Sequence, residues 1–285
     1  MRFGLALSGG ALRGAAHIGV LKALTEHGLY PSWISGTSAG SIIAALYAYG
    51  YTPNEIEKIA LSINRSIFDP DYFGIAGGIL QWLFTRQFNW DGVVAGKRLE
   101  FLMKELTENR LINDVKIPIA ITAVDINNGM SVIFASNTSG LKNTKNITFI
   151  DKVPLCEAVR ASISIPVFFR PKIINGMRLV DGGITDNLPL KVLKLMGAKA
   201  VIGINLGYSG QRRAEVNNLL EIGNQSLDIM AYQITRLITD ETDCVINPNI
   251  YDVGMTEVDR IPECIKRGYD VTINNMNMIK KTINS

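Results

Sequence analysis

Gly36-Thr37-Ser38-Ala39-Gly40 is the stretch on which the reading of this chain turns. Trp33-Ile34 before it is short, apolar and β-branched, and Ser41-Ile42-Ile43-Ala44-Ala45-Leu46-Tyr47-Ala48 after it reads as a tightly packed helix. A G-x-S-x-G pentapeptide between strand and helix has the form of a nucleophile elbow. The reason is steric. The serine must sit on a turn so sharp that its neighbours cannot carry side chains into the bend, and glycine at Gly36 and Gly40 leaves the backbone room to fold back. The hydroxyl then stands at a helix N-terminus, where the partial positive charge favours negative charge. An ordinary helix start, with Ser38 as its N-cap, fits the same five residues. The rest of the chain has to decide.

At 285 residues, with 47% hydrophobic and 19% charged, the chain can bury a sizeable core and has no composition for disorder. A formal charge of +3 is small for this length, and no lysine or arginine run suggests a nucleic-acid groove. Cys156, Cys244 and Cys264 are few, odd in number and far apart, which suits reduced thiols in the cytoplasm better than a disulfide framework. With two histidines and three cysteines, a metal site of the usual composition is not expected. Phe3 to Leu7 is too short for the apolar core of a signal peptide and runs straight into Gly9-Gly10. No apolar stretch reaches the ~18 residues of a membrane span. The expected location is cytoplasmic, with peripheral contact at a membrane surface left open.

Arg2-Phe3-Gly4-Leu5-Ala6-Leu7 reads as a buried first strand that empties into Ser8-Gly9-Gly10-Ala11-Leu12-Arg13-Gly14. Ala15 to His27 carries apolar residues at helical spacing, with Gly28 as its stop. Strand, glycine turn and helix first suggest nucleotide binding. A P-loop, however, needs lysine directly after Gly14, where Ala15 stands, and a dinucleotide fingerprint needs glycine where Ala11 stands. The same turn has a second use, because backbone N–H groups at a helix N-terminus form a nest for an anion. An acyl-transfer enzyme needs such a nest for its oxyanion. Arg13 either steadies that loop and adds positive charge or makes a surface salt bridge.

Thr52-Pro53-Asn54-Glu55 is a capping box opening a helix to about Asn64. Ile67 to Trp90, rich in aromatics and glycine, reads either as an apolar lid or acyl-chain wall or as a buried excursion. Lys97 to Glu108 reads as a surface helix, Pro118 to Asp125 as a strand, and Met130 to Ala135 as its hairpin partner. Thr138 to Ile147 is expected as a polar loop, and Asp151 as the cap of a helix from Val153 to about Ala161. Arg178-Leu179-Val180 looks like a strand running into Asp181-Gly182-Gly183. A helix from Leu190 to Met196, a strand from Ala200 to Leu206, an amphipathic helix from Arg213 to about Thr239, a strand near Cys244-Val245-Ile246 and a helix from Pro262 follow. The alternation predicts an α/β fold of three layers, a mainly parallel central sheet with helices on both faces. No linker or repeat divides it, so residues 1–285 read as one domain.

Ser38 needs a base. His17 and His27 both precede it, so the order serine, acid, histidine of the α/β-hydrolases cannot be built. His17 reads as a packed or loop-bracing residue, with a catalytic role still open, and His27 as a surface residue. Asp181 follows an apolar strand and precedes two glycines, the layout of a side chain presented at the C-terminal edge of an open parallel sheet. Asp-Gly-Gly is equally the composition of a plain turn. Asp186 reads rather as a helix cap before Leu188.

Four segments together resemble the patatin-like phospholipase family. They are Gly9 to Gly14 with His17 beyond, Gly36 to Gly40, the run from Ala161-Ser162 to Pro166-Val167-Phe168, and Asp181-Gly182-Gly183 with Asn187 and Pro189. They stand in the family's order and spacing and cover about the first two-thirds of the chain, so that motifs lie in 1–190 while 200–285 completes the fold. The resemblance implies a patatin-like fold and a Ser–Asp dyad: Ser38 as nucleophile and Asp181 as its direct base. The amides of Gly9, Gly10 and Ala11 would form the oxyanion hole, with Arg13 in the family's basic position. Gly14, Gly36, Gly40, Gly182 and Gly183 would shape the turns. One departure is visible: Ser8 stands where the family often has a further glycine. The implied substrates are lipid esters, phospholipids and lysophospholipids among them, met by transient contact with a membrane or micelle, with no cofactor and no metal. Acyl transfer or thioester cleavage would use the same residues, and a lipid-binding regulatory module would keep the fold without turnover.

Overall fold

The computed structural model describes residues 2–67, 69, 91–208, 210, 219–239, 244–254 and 257–284. Strand β1 (Phe3–Leu7) is buried throughout. A 3-10 turn (Ala11–Ala15) leads into α1 (Ala16–Glu26), and Gly28, at φ 71°, ends it. Strand β2 (Trp33–Thr37) and α2 (Ala39–Tyr49) flank Ser38. Helix α3 (Pro53–Ser62) begins on the expected capping box: Thr52 accepts from the Glu55 amide, and Glu55 from the Thr52 amide. The lid-or-wall expectation for Ile67 to Trp90 falls, apart from Ile67 and Asp69, outside the described residues.

Helix α4 (Lys97–Leu106) precedes β3 (Ile119–Asp125) and its antiparallel partner β4 (Met130–Ala135). The end of the expected polar loop pairs as a fifth strand, β5 (Ile147–Ile150), parallel to β4. Helix α5 (Leu155–Ser162) is not capped by Asp151, whose carboxylate instead accepts from the Thr138 hydroxyl at 2.6 Å; Pro154 holds the N-cap position. Two short strands follow, β6 (Lys172–Ile174), which the sequence reading lacks, and β7 (Met177–Asp181). The chain then runs through α6 (Leu190–Leu195), β8 (Ala200–Ile204), α7 (Leu219–Ile238) and β9 (Cys244–Ile246). The expected C-terminal helix is two, α8 (Ile261–Asn274) and α9 (Met276–Asn284).

Among the described residues these strands form one sheet in the order β5-β4-β3-β2-β1-β8-β9, with β7 paired to β3 and β6 to β7. Pairs β1–β2, β2–β3, β1–β8, β8–β9 and β4–β5 are parallel; β3–β4, β3–β7 and β6–β7 are antiparallel. Alternate residues of β1 face opposite layers, as a pleated strand requires. Phe3, Leu5 and Leu7 join the large core with α1, α2 and α8, while Ala6 joins Leu190 and Leu193 of α6. That second face is lined by small residues. At Gly4 a β-carbon would lie 3.1 Å from Leu193, so α6 packs almost against the backbone of the sheet. The fold is therefore α/β, mixed and mostly parallel, with helices on both faces.

Candidate active site

Two strands deliver the site to one point on β3. Thr37, the last residue of β2, is paired with Thr122, and Asp181, the last residue of β7, is paired with Ala123. Strand β2 stops where β7 arrives from the opposite direction, so Ser38 and Asp181 meet above adjacent residues of one strand. Their side chains face the same hollow, and the Ser38 hydroxyl lies close enough to lower the pKa of the Asp181 carboxyl against the effect of its burial. The sequence reading expects Asp181 at the C-terminal edge of a parallel sheet. The edge is correct, but β7 is antiparallel to β3.

Ser38 sits at φ 53°, ψ −126°, a backbone conformation that costs a non-glycine residue on the order of 1 kcal/mol or more. The surroundings enforce it. A β-carbon on Gly36 would strike the Gly40 carbonyl, and one on Gly40 would strike the Leu7 carbonyl, so the bend closes on itself and against β1. On Gly14 a β-carbon would lie 2.5 Å from that of Ala39, and on Gly182 it would collide with Thr122, so the glycine turn and β7 also depend on missing side chains. The Ser38 amide donates to the Ser162 hydroxyl at 2.9 Å, and the Asp181 amide to the Ser164 carbonyl at 2.9 Å. The end of α5 thus holds both residues. Arg160, buried on the same helix, clamps that end: its guanidinium donates to the Ser164 hydroxyl at 2.6 Å and to the carbonyls of Ala95 and Arg170.

Ser38 is 5% exposed and Asp181 6%. Burial pushes the Asp181 carboxyl up to about 6, against the lowering effect of the nearby Ser38 hydroxyl and of the hydrogen bond from the Gly183 amide at 2.8 Å; the charge of Asp228 adds to the rise. A carboxylate that titrates near 6 is a better base at neutral pH than an exposed one.

The first turn lies across the same hollow, which the described residues enclose to about 90 Å³ and which Gly10, Ala11, Arg13, Ser38, Asp181 and Asp228 help to line. The turn's amides are not equivalent. Gly9 already donates to the Asn187 carbonyl at 3.3 Å. Gly10 and Ala11 donate to no acceptor among the described residues, and Ala11 is turned to φ 50°. Of the three expected oxyanion donors, Gly9 is therefore committed to the Asp181–Asn187 loop, and Gly10 and Ala11 remain. Gly183 lines the hollow as well.

Ser8, the departure from the family's pattern, is used at every polar atom. Its hydroxyl accepts from the Leu206 amide at 2.8 Å and donates to the Gly9 carbonyl at 2.9 Å; its amide donates to the Ile204 carbonyl at 3.1 Å. Its carbonyl accepts from His17 Nε2 at 2.9 Å. His17 is fully buried, and burial lowers its pKa to about 4, against the opposing hydrogen bond to Ser8. It braces the loop as a neutral imidazole. His27 is exposed at the far end of α1. Arg13 is 2% exposed rather than on the surface; its Nε donates to the Gly10 carbonyl at 3.2 Å, and its Nη2 lies 3.7 Å from Asp228 of α7. Asp186 does not cap a helix, since α6 starts at Leu190 behind Pro189. The loop it belongs to is stapled to β2 by Thr37, whose hydroxyl donates to the Asp186 carbonyl, and by Ser35, which donates to that of Pro189. Asp228 carries no sequence signal; it is one acidic residue in an amphipathic helix.

A serine on a strained strand-to-helix turn, beside a buried carboxylate and two unengaged amides, defines the class: an α/β domain with a serine–aspartate pair. Residues 5–194 match the family described as patatin-like phospholipase, and the chain belongs to that family. It is 32% identical over 238 residues to the patatin-like phospholipase domain-containing protein ZK370.4 of Caenorhabditis elegans, a match covering 82% of this chain but 15% of that protein. With the protein YqhO of Bacillus subtilis it shares 31% identity over 222 residues, 74% of this chain and 73% of the other. Lysophospholipase NTE1 of Scheffersomyces stipitis is 30% identical over 216 residues, which are 73% of this chain and 12% of that enzyme. In fold the chain is similar to VipD from Legionella pneumophila, at a TM-score of 0.55 and 17% identity, covering 98% of this chain and 67% of VipD. Among the described residues, no helix is long and apolar enough to cross a membrane.

Proposed function

We propose that this protein is a serine acyl hydrolase that cleaves fatty-acyl esters of lipids, lysophospholipids and phospholipids foremost, through a Ser38–Asp181 dyad. The observation that carries the reading is the placing of Ser38, on a strained turn after β2, and the buried Asp181, at the end of β7, above adjacent residues of β3 in one hollow; burial raises that carboxyl to about 6. Membership of the patatin-like phospholipase family and the name of the yeast relative, a lysophospholipase, favour this substrate class.

Asp181 takes the Ser38 proton as Oγ attacks the acyl carbonyl. The carbonyl oxygen becomes an oxyanion held by the Gly10 and Ala11 amides, each such donor contributing about 3 kcal/mol to the transition state. The proton passes from Asp181 to the leaving alcohol or lysolipid, and the acyl group stays on Ser38. Asp181 then removes a proton from water, which attacks the acyl-enzyme, and gives that proton back to Ser38 Oγ as the fatty acid leaves. His17 takes no part, because its Nε2 is engaged with Ser8.

Fluorophosphonate labelling, paired with fatty-acid release from a panel of lipid esters, tests this. Wild type should label and release fatty acid, and Ser38→Ala should do neither. A wild-type protein that neither labels nor releases fatty acid from any ester of the panel would refute the reading.

A further inference from the structure

We propose that the Asn187 carboxamide holds the water that frees the acyl group from Ser38, and so biases this site toward hydrolysis over transfer to an alcohol. The inference rests on the reading of Ser38 as nucleophile and Asp181 as base given above.

Asn187 stands on the loop that follows Asp181, and its backbone carbonyl accepts from the Gly9 amide. Its side chain lines the hollow with Ser38 and Asp181 and makes no hydrogen bond to a described residue. Missing side chains make room for it. A β-carbon on Gly9 would lie 2.6 Å from Asn187 Oδ1 and 3.1 Å from the β-carbon of Ser38. One on Gly183 would lie 3.1 Å from Asn187 Oδ1 and 3.1 Å from Asp181 Oδ1, with no other residue beyond its chain neighbours as near. The carboxamide oxygen is therefore set beside both members of the pair. Its orientation is set from behind. Nδ2 faces the gap at Gly207, where Asn205 Oδ1, which accepts from the Gly207 amide at 3.0 Å, lies equally near. Turning the carboxamide over would set oxygen against oxygen there.

Two acceptors, Asp181 and Asn187, thus face one space over Gly183, and they suit a donor with two hydrogens. Water is such a donor, and the second half of the reaction consumes it. Once Ser38 is acylated, water in this space gives one O–H to Asn187 Oδ1 and the other to the Asp181 carboxylate, which leaves its lone pairs for the acyl carbon. The O–H bond to Asp181 breaks as the new C–O bond forms. The proton then passes from Asp181 to Ser38 Oγ as the bond from Oγ to the acyl carbon breaks and the fatty acid leaves. An alcohol has a single O–H. It can give that proton to Asp181 but has none for Asn187, so the carboxamide helps only water.

Hydrolysis of p-nitrophenyl butyrate separates the two half-reactions, because kcat/KM reports formation of the acyl-enzyme while kcat includes its breakdown. Asn187→Leu keeps the size of the side chain and removes both polar atoms. Its kcat should fall at least tenfold with KM falling alongside, and butyryl-Ser38 should accumulate in the mass spectrum of the quenched enzyme. Its kcat/KM and its rate of fluorophosphonate labelling should stay within about twofold of wild type. With methanol added, the ratio of methyl butyrate to butyric acid should rise about tenfold over wild type. A mere loosening of the loop would slow both acceptors alike and leave that ratio where it was. If Asn187→Leu does not fold, Asn187→Ala serves in each measurement. Unchanged kcat and product ratio would overturn the proposal. So would a labelling rate that falls as far as kcat, which would make Asn187 a support of the pair and not of the water. Wild type that neither labels nor turns over would instead strike the hydrolase reading, and the water site with it.

Discussion

Asp181 carries two opposed demands. As a base it must be ionised, and its burial, which makes it a stronger base, penalises that ionised form. The folded pKa of about 6 lies above the ordinary carboxylate value of 3.8, so the folded protein holds this proton more tightly than the unfolded chain. Below the unfolded value both states are protonated and nothing is lost. As pH rises from about 4 through 6 the penalty develops, reaching on the order of 3 kcal/mol at neutral pH and above. Asp181→Asn should thus melt higher than wild type at pH 8, with the gap closing near pH 4, while turnover is nearly abolished. Thermal melts at the two pH values check it, and a gap of equal size at both would contradict the account. Wild-type kcat/KM should fall about tenfold per pH unit below about 6, as the base is protonated. At this scale the sequence was largely legible. Absence of a histidine after Ser38 points to a carboxylate, the family resemblance singles out Asp181, and the fold brings that residue beside Ser38; its part as base belongs to the proposal above. The engagement of the Gly9 amide was not legible, because its acceptor, the Asn187 carbonyl, is brought there only by the fold.

Among the elements, β3 and α5 do the positioning: one strand pairs with both partners, and one helix end holds both amides. Removing the Ser162 hydroxyl isolates this contribution. Ser162→Ala leaves the buried Ser38 amide without its acceptor, at a cost of ~1–3 kcal/mol. It also loosens the nucleophile, so the rate of fluorophosphonate labelling should drop at least tenfold, on the scale of a small misplacement of a reacting group. Labelling at the wild-type rate would mean that the contact supports the fold and not the elbow. The strong periodic elements, β1, α2, α3 and the β3–β4 hairpin, follow from the sequence because their apolar spacing or capping residues are local. Strands β5 and β6 do not, being four and three residues long and only partly buried, too short to show alternation. Nor does the direction of β7, since a strand's side-chain period is the same whichever way its neighbour runs.

Taken whole, the molecule is closed by a stretch in which the sequence shows no motif. Helix α8 crosses α1 in backbone contact: a β-carbon on Gly19 would coincide with the Ile265 carbonyl, and one on Gly268 with the carbonyl of Ala16. Cys264 and Ile265 of α8 are buried in the same core as Ile18, Leu21 and Leu24 of α1. Because α1 begins at the glycine turn, this crossing sets where the turn and its amides lie. Gly268→Ala should destabilise by about 3 kcal/mol, the upper end for overpacking, since backbone rather than a flexible side chain must move. The protein that remains folded should bind a fluorophosphonate more slowly, and denaturant melts with labelling rates check both. Unchanged stability would show that the helices can separate freely.

The sequence by itself determined the chemistry available: a serine between glycines, a glycine turn after the first strand, no histidine downstream and an aspartate before two glycines. Those are local features, set by which side chains are present or missing at a bend. Tertiary structure decided which of them meet. It paired Thr37 and Asp181 with neighbouring residues of β3, committed the Gly9 amide to Asn187, and carried Asp228 to Arg13. Such contacts join residues far apart in the chain, and they depend on strand direction and helix crossing, which are fixed by packing and leave no period in the sequence.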